Sequence, residues 1–172
     1  YEIRNCDWSS DVCSSDLLIP MRTQADPPGK PPEHKFRMPT EAEWEYIAGF
    51  GTITTTSIGD DLKILLDYVW GARNSLGKVQ PTAVLKPNIA GLFDIYGNLM
   101  EMVQDDWTLE IKSGDFTDPC YPATQEDYMK DTLAKGGWYD ALPKRFNSKD
   151  RIKSEAKDEK LKTHGFRVVT KH

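Results

Sequence analysis

The chain has 172 residues, with 22 basic and 27 acidic side chains and a formal net charge of −5. That balance leaves no basic stripe for nucleic acid or an anionic membrane, and no apolar run approaches the roughly 18 residues of a membrane helix. The length suits one domain with its own core, and three cysteines without a C-x-x-C spacing supply neither a disulfide framework nor a zinc site.

Near the start, Asp7-Trp8-Ser9-Ser10-Asp11-Val12-Cys13-Ser14-Ser15-Asp16-Leu17 matches the in-frame translation of a common sequencing-library adapter without a break. The competing reading is a Ser/Asp-rich linker. The unbroken match favours an artefact, so residues 1–17 are set aside from fold reasoning and expected to lack a defined place in the fold. Without Glu2, Asp7, Asp11, Asp16 and Arg4 the net charge moves from −5 to −2, and Cys120 is the cysteine that remains. Residues 18–34 form a lead-in whose Ala25-Asp26-Pro27-Pro28-Gly29-Lys30-Pro31-Pro32 favours extended or polyproline conformation.

The clearest helix start follows. Thr40 as N-cap with Glu43 three residues on is a capping box, and Pro39 blocks an earlier beginning. Trp44, Ile47 and Ala48 share an inward face, while Glu41, Glu43 and Glu45 sit near the positive helix end. They read as capping and solvating groups rather than as an acid–base pair. Gly51 is expected to end the helix. Thr52 to Thr56 reads as a short strand or loop, and Asp60 to Tyr68 as a second helix with Leu62, Leu65 and Leu66 on one face. Trp70 reads as core.

Beyond Trp107 the chain is turn-rich, with Lys112-Ser113-Gly114-Asp115 and Asp118-Pro119-Cys120-Tyr121-Pro122 as loops. Leu133 to Trp138 and Gly165 to Thr170 are the strand candidates, and Lys149 to Lys162 alternates charge like a solvated loop or short helix. Few long periodic segments and many turns predict an irregular α+β domain.

Four segments carry a family pattern: Arg37-Met38-Pro39-Thr40-Glu41-Ala42-Glu43-Trp44-Glu45-Tyr46; Asn88-Ile89-Ala90-Gly91-Leu92-Phe93-Asp94-Ile95-Tyr96-Gly97-Asn98-Leu99-Met100-Glu101-Met102; Lys135-Gly136-Gly137-Trp138; and Gly165-Phe166-Arg167-Val168-Val169. In this order they resemble the formylglycine-generating enzyme family, or sulfatase-modifying factor domain, with residues 35–172 as its C-terminal portion. The resemblance implies a C-type-lectin-like fold with little regular secondary structure. It also marks the helix at Asp60 to Tyr68 as an insertion and Val69-Trp70-Gly71 as the family's P-W-G element. The family's M-G-x-x-x-x-E-x-P opening is not found.

By spacing alone, Tyr96-Gly97-Asn98 is a turn with Asp94 and Glu101 exposed beside it. The resemblance implies one structural calcium there, held by the Asp94 and Glu101 carboxylates and the carbonyls of Ile95, Gly97 and Leu99. Such a set supplies the oxygens that a hard cation takes. A second family calcium loop, N-x-W-Q-G, has no counterpart between Gly71 and Pro87.

Catalysis in the family uses two cysteines placed four and nine residues past the second glycine of the R-G-G-S segment. Those places hold Ala141 and Phe146, which cannot bind Cu(I) as thiolates do, so no copper is expected. Cys120 reads as a small buried hydrophobe rather than a replacement. His34, His164 and His172 do not form the H-x-x-x-E-x-H pattern of iron-binding relatives, and His164 reads as a surface or strand-edge residue. Trp138, Tyr139, Asp140, Arg145 and Asp150, with Asn147 and Arg151, form either a recognition surface or ordinary loop packing. Arg167 reads as a structural arginine serving core carbonyls.

The resulting expectation is a family domain without its catalytic pair: a calcium-stabilised binding or scaffold domain. A protein or peptide is its expected partner, with no nucleic acid. The resemblance favours an extracytoplasmic setting. The alternative is an oxygen-dependent oxidase or non-haem-iron sulfoxide-synthase-type enzyme with ligands in a part N-terminal to this chain.

Overall fold

One capped helix lies across a mixed sheet, and the contact between them organises the rest. The structure, a computed structural model, describes residues 2–6, 36–50, 56, 61–107, 132–154 and 163–170. Its strands are β1 (Glu2–Cys6), β2 (Phe36–Arg37), β3 (Met100–Asp106), β4 (Thr132–Lys135), β5 (Ile152–Ser154) and β6 (His164–Thr170), with helices α1 (Glu41–Gly49) and α2 (Leu62–Leu65). The sheet order is β1-β6-β3-β4-β5, and β2 also pairs with β6. Strand β3 runs parallel to β6 and antiparallel to β4, so it is paired on both sides. This is an α+β fold with little helix, as the turn-rich sequence implies.

Helix α1 starts as its sequence dictates. The Glu43 amide donates to Thr40 Oγ1 at 3.2 Å, and the Thr40 amide donates to Glu43 Oε2 at 2.9 Å, which completes the capping box. A third early amide, that of Glu41, donates to Asp105 Oδ2 of β3 at 2.7 Å. The sheet thus satisfies a helix end that would otherwise leave donors exposed. At the other end the left-handed cap is Phe50, at φ 43°, with its amide on the Tyr46 carbonyl at 2.6 Å. The expected glycine stop, Gly51, lies outside the described residues.

Register decides which side chains meet α1. Glu101 lies opposite Lys135 of β4 and Gly165 of β6. Because alternate strand residues share a face, Arg167 falls on the same side as Glu101. Trp44 enters this face from α1, is 1% exposed, and meets Tyr96 edge-on at 5.9 Å between ring centroids. Ala48, Val69, Val103, Leu133 and Phe146 join the same buried cluster, while Ile47 is half-buried.

Several expectations change. Glu2–Cys6 pairs with Cys6↔Phe166 through Glu2↔Thr170 of β6, so residues 2–6 do have a place in the fold. The adapter-like Asp7–Leu17 begins just past that strand and lies outside the described residues. The second helix is cut to Leu62–Leu65; Tyr68 then donates to the Leu65 carbonyl at 3.0 Å, a tighter i+3 closure. The strand expected over Leu133 to Trp138 stops at Lys135, because Gly136 and Gly137 both turn to positive φ. Ile152–Ser154, read as part of a solvated segment, is a strand, because β4 offers it a partner edge. Thr56 is a buried residue in a bend, while 51–55 lie outside the described residues. So do the Pro-rich lead-in, His34, the loops at 112–115 and 118–122 with Cys120, residues 155–162 and His172.

Candidate functional site

The turn from Asn88 to Glu101 is built by backbone conformations that few side chains accept. Asp94 (φ 52°), Gly97 (φ 76°) and Asn98 (φ 56°) are all left-handed. At Gly97 the requirement is also steric: a Cβ would stand 2.1 Å from the Trp70 carbonyl oxygen. Asn98 then ties three segments together. Its amide donates to the Trp70 carbonyl at 2.9 Å, its side chain exchanges hydrogen bonds with the Gln80 backbone at 2.9 and 3.0 Å, and its carbonyl receives the Tyr139 amide at 2.8 Å. Asn88 anchors the turn to the helix through the Ile47 carbonyl at 3.2 Å.

Asp94, Ile95, Gly97, Leu99 and Glu101 are all buried, so the two carboxylates are not exposed as the spacing alone suggests. Asp94 Oδ2 receives the Ala83 amide at 2.8 Å. Glu101 receives Trp44 Nε1 at 2.7 Å and Arg167 Nε at 2.6 Å on Oε2, and its Oε1 pairs with Arg167 Nη2. A bidentate, charge-assisted pair in a site 1% and 8% exposed is held by geometry as much as by charge. Arg167 also donates to the Phe93 carbonyl at 3.3 Å, so its role on carbonyls is secondary to Glu101. Among the described residues no group of three or more His, Cys, Asp or Glu is placed to hold a metal. A cation at this turn therefore depends on carbonyl oxygens beside Asp94, and shares Glu101 with a guanidinium.

Ala141 and Phe146 are 2% and 4% exposed. The Phe146 ring lies between two glycines: a Cβ on Gly71 would be 2.6 Å from its Cζ, and one on Gly137 would be 3.1 Å from its Cδ1. The Ala141 carbonyl accepts the Ala72 amide at 3.1 Å, and the Ala141 amide donates to the Trp138 carbonyl at 2.8 Å. The loop is thus closed around an aromatic ring.

The five candidate binding residues lie along this loop but do not converge. Trp138 packs half-buried against the core. The Tyr139 carbonyl accepts Ser75 Oγ at 2.7 Å. Asp140 is exposed, and Arg145 spends itself on Asp150 at 3.3 Å. Arg151 turns away, to Glu41 at 2.7 Å and over the Trp107 ring at 5.0 Å.

The profile of the Sulfatase-modifying factor enzyme 1-like domain matches residues 4–172. The chain belongs to the formylglycine-generating enzyme family. It is similar to the formylglycine-generating enzyme of Mycobacterium tuberculosis, 32% identical over 154 residues, covering 77% of this chain and 50% of that protein. Among solved structures, Treponema denticola variable protein 1 superposes with a TM-score of 0.68 at 31% identity, covering 80% of this chain and 48% of the other. PvdO from Pseudomonas aeruginosa gives 0.67 at 22% identity, covering 80% and 53%, and CarF gives 0.56 at 20%, covering 83% and 50%; these two show the fold alone. The chain spans about half the length of the relatives it matches. The family match begins inside β1, in agreement with its pairing on β6.

Two features of this family domain were not legible in its sequence. Lys135 is fully buried, with Nζ 2.7 Å from Glu45 Oε1, 3.3 Å from Glu41 Oε1 and 5.8 Å from the Trp44 ring centroid. Glu41 and Glu45 thus clamp a cation instead of merely solvating the helix. The available signal was Lys135 standing two residues after Leu133, hence on the same strand face. His164 is 7% exposed at the start of β6, so it is an interior residue rather than a surface one. No helix among the described residues is long and apolar enough to cross a membrane.

Proposed function

We propose that this chain is a non-catalytic member of the family, acting as a binding or scaffold domain for a protein or peptide. The observation that carries this reading is Phe146. Within the family pattern it stands with Ala141 where the two copper-binding cysteines belong, and its ring fills the room between Gly71 and Gly137. Neither side chain offers a sulfur donor, so no copper is to be held there. The test is incubation with a peptide carrying the sulfatase C-x-P-x-R motif, with copper and oxygen, read by mass spectrometry. No formylglycine is expected from the folded chain, nor after Ala141→Cys with Phe146→Cys. Conversion by the unmodified chain above a no-enzyme control overturns the reading.

Structural calcium belongs to the same proposal. The donors are oxygen throughout: Asp94, the carbonyls of Ile95, Gly97 and Leu99, and Glu101 shared with Arg167. That is the chemistry of a hard cation, and a bound calcium would brace the turn against unfolding by linkage. Calcium is expected to raise the melting temperature, and Asp94→Asn to remove most of that rise while leaving the calcium-free value nearly unchanged. An equal rise in both proteins removes calcium from the proposal. An extracytoplasmic setting, where calcium is plentiful, accords with this reading.

A further inference from the structure

Glu101 and Arg167 are committed to each other more fully than a shared metal ligand can be. Three donors converge on the Glu101 carboxylate: Trp44 Nε1 at 2.7 Å and Arg167 Nε at 2.6 Å on Oε2, and Arg167 Nη2 on Oε1. The two side chains are 8% and 1% exposed, so neither has water to fall back on. Arg167 gives one further hydrogen bond, to the Phe93 carbonyl at 3.3 Å, and its Nη1 is buried with no hydrogen-bond partner. Among the described residues, Glu101 is the carboxylate that answers this guanidinium. A dication drawn onto a Glu101 oxygen would face the guanidinium across a single negative charge, or displace it and leave it buried and unpaired. Both are costly. The rest of the turn is poor in charge. Asp94 is its other acid, and Oδ2 already accepts the Ala83 amide at 2.8 Å. The Ile95 carbonyl is crowded by Gly136, where a Cβ would stand 2.8 Å from its oxygen.

We infer that Arg167, not calcium, is the cation of the Glu101 carboxylate, and that the turn binds calcium weakly through Asp94 and backbone carbonyls. The inference rests on the calcium reading and narrows its ligands. Calcium affinity follows the number of charged ligands, and one carboxylate among neutral carbonyls belongs to the weak class, roughly 10⁻⁴–10⁻³ M. Such a site fills in the calcium-rich surroundings that extracellular modules meet, and it adds its stabilisation to the turn there. The junction of turn and β3 needs no metal, because a guanidinium already neutralises it.

The test is a titration of the full chain with calcium chloride, followed by calorimetry and by melting temperature. The unmodified chain is expected to half-saturate at about 10⁻⁴–10⁻³ M calcium. Glu101→Gln is expected to melt lower, yet to half-saturate within about twofold of the unmodified chain. Arg167→Met, which frees the carboxylate, is expected to bind calcium about tenfold tighter. A second readout needs no variant to fold. In calcium-minus-EGTA infrared spectra of the unmodified chain, bands of isotope-labelled aspartate carboxylates are expected to shift in step with binding, and those of labelled glutamate to stay in place. Half-saturation in the micromolar range, a loss of more than about tenfold in Glu101→Gln, or a glutamate band that shifts with binding overturns the inference and leaves calcium at the turn. No response of the unmodified chain up to about 10 mM calcium removes the calcium reading and this inference together.

Discussion

The Asn88–Glu101 turn and the Trp138–Phe146 loop lie side by side, joined where Tyr139 donates to the Asn98 carbonyl at 2.8 Å, yet they are held by opposite means. In the turn, buried polar groups are held by hydrogen bonds: Asn98 by Gln80 and Trp70, Glu101 by Trp44 and Arg167. In the loop an aromatic ring fills the interior and close approach to glycine backbone holds it. The polar arrangement tolerates no deletion, because removing one partner strands the other in a low-dielectric interior. The apolar one loses only contact and volume. The turn carries the family pattern in buried polar groups, and at Ala141 and Phe146 apolar packing stands where that pattern has cysteine.

Breaking the polar side is expected to cost most. Arg167→Met leaves the Glu101 carboxylate buried beside Trp44 and is expected to destabilise by about 3–5 kcal/mol in urea unfolding. A loss under about 1 kcal/mol would place the pair among surface ion pairs and dissolve the contrast. On the apolar side, Phe146→Ala is expected to cost about 3 kcal/mol through lost burial and the cavity left against Gly71 and Gly137. Phe146→Leu should recover much of it, since apolar packing accepts a substitute that a paired charge does not.

Helix α1, anchored to the turn through Asn88 and Glu101, offers a smaller test. Thr40→Ala removes the N-cap acceptor of the Glu43 amide and is expected to cost about 1 kcal/mol by the same measurement. The smallest effect concerns Glu43. Its hydrogen bonds from Arg37 hold the carboxyl below the usual carboxylate range; burial opposes this, and the Thr40 amide adds to it. A depressed folded pKa stabilises fully above the unfolded value of roughly 4.3, and this is lost as pH falls through the folded value. The difference in stability between wild type and Arg37→Ala should therefore be present at neutral pH, on the order of 0.5 kcal/mol for a partly exposed pair, and shrink in acid. A difference that stays constant down to low pH would mean Arg37 acts by packing alone.

What the sequence determined by itself is local or carried by motif. Thr40 and Glu43 specified the start of α1 because capping needs only residues three apart. Trp44 and Ala48 marked its buried face by period, and the four ordered segments carried the family and with it the α+β class. The absence of sulfur at Ala141 and Phe146 was equally readable. What the tertiary structure decided depends on register and on partners distant in the chain. Only the parallel pairing of β3 with β6 sets Arg167 on the same face as Glu101, sixty-six residues apart. Only the helix laid over β4 turns Glu41 and Glu45 from solvated charges into a clamp on Lys135. Strand β5 and the segment Glu2–Cys6 are strands because an edge was waiting for them, and an edge is a property of the sheet rather than of three or five residues.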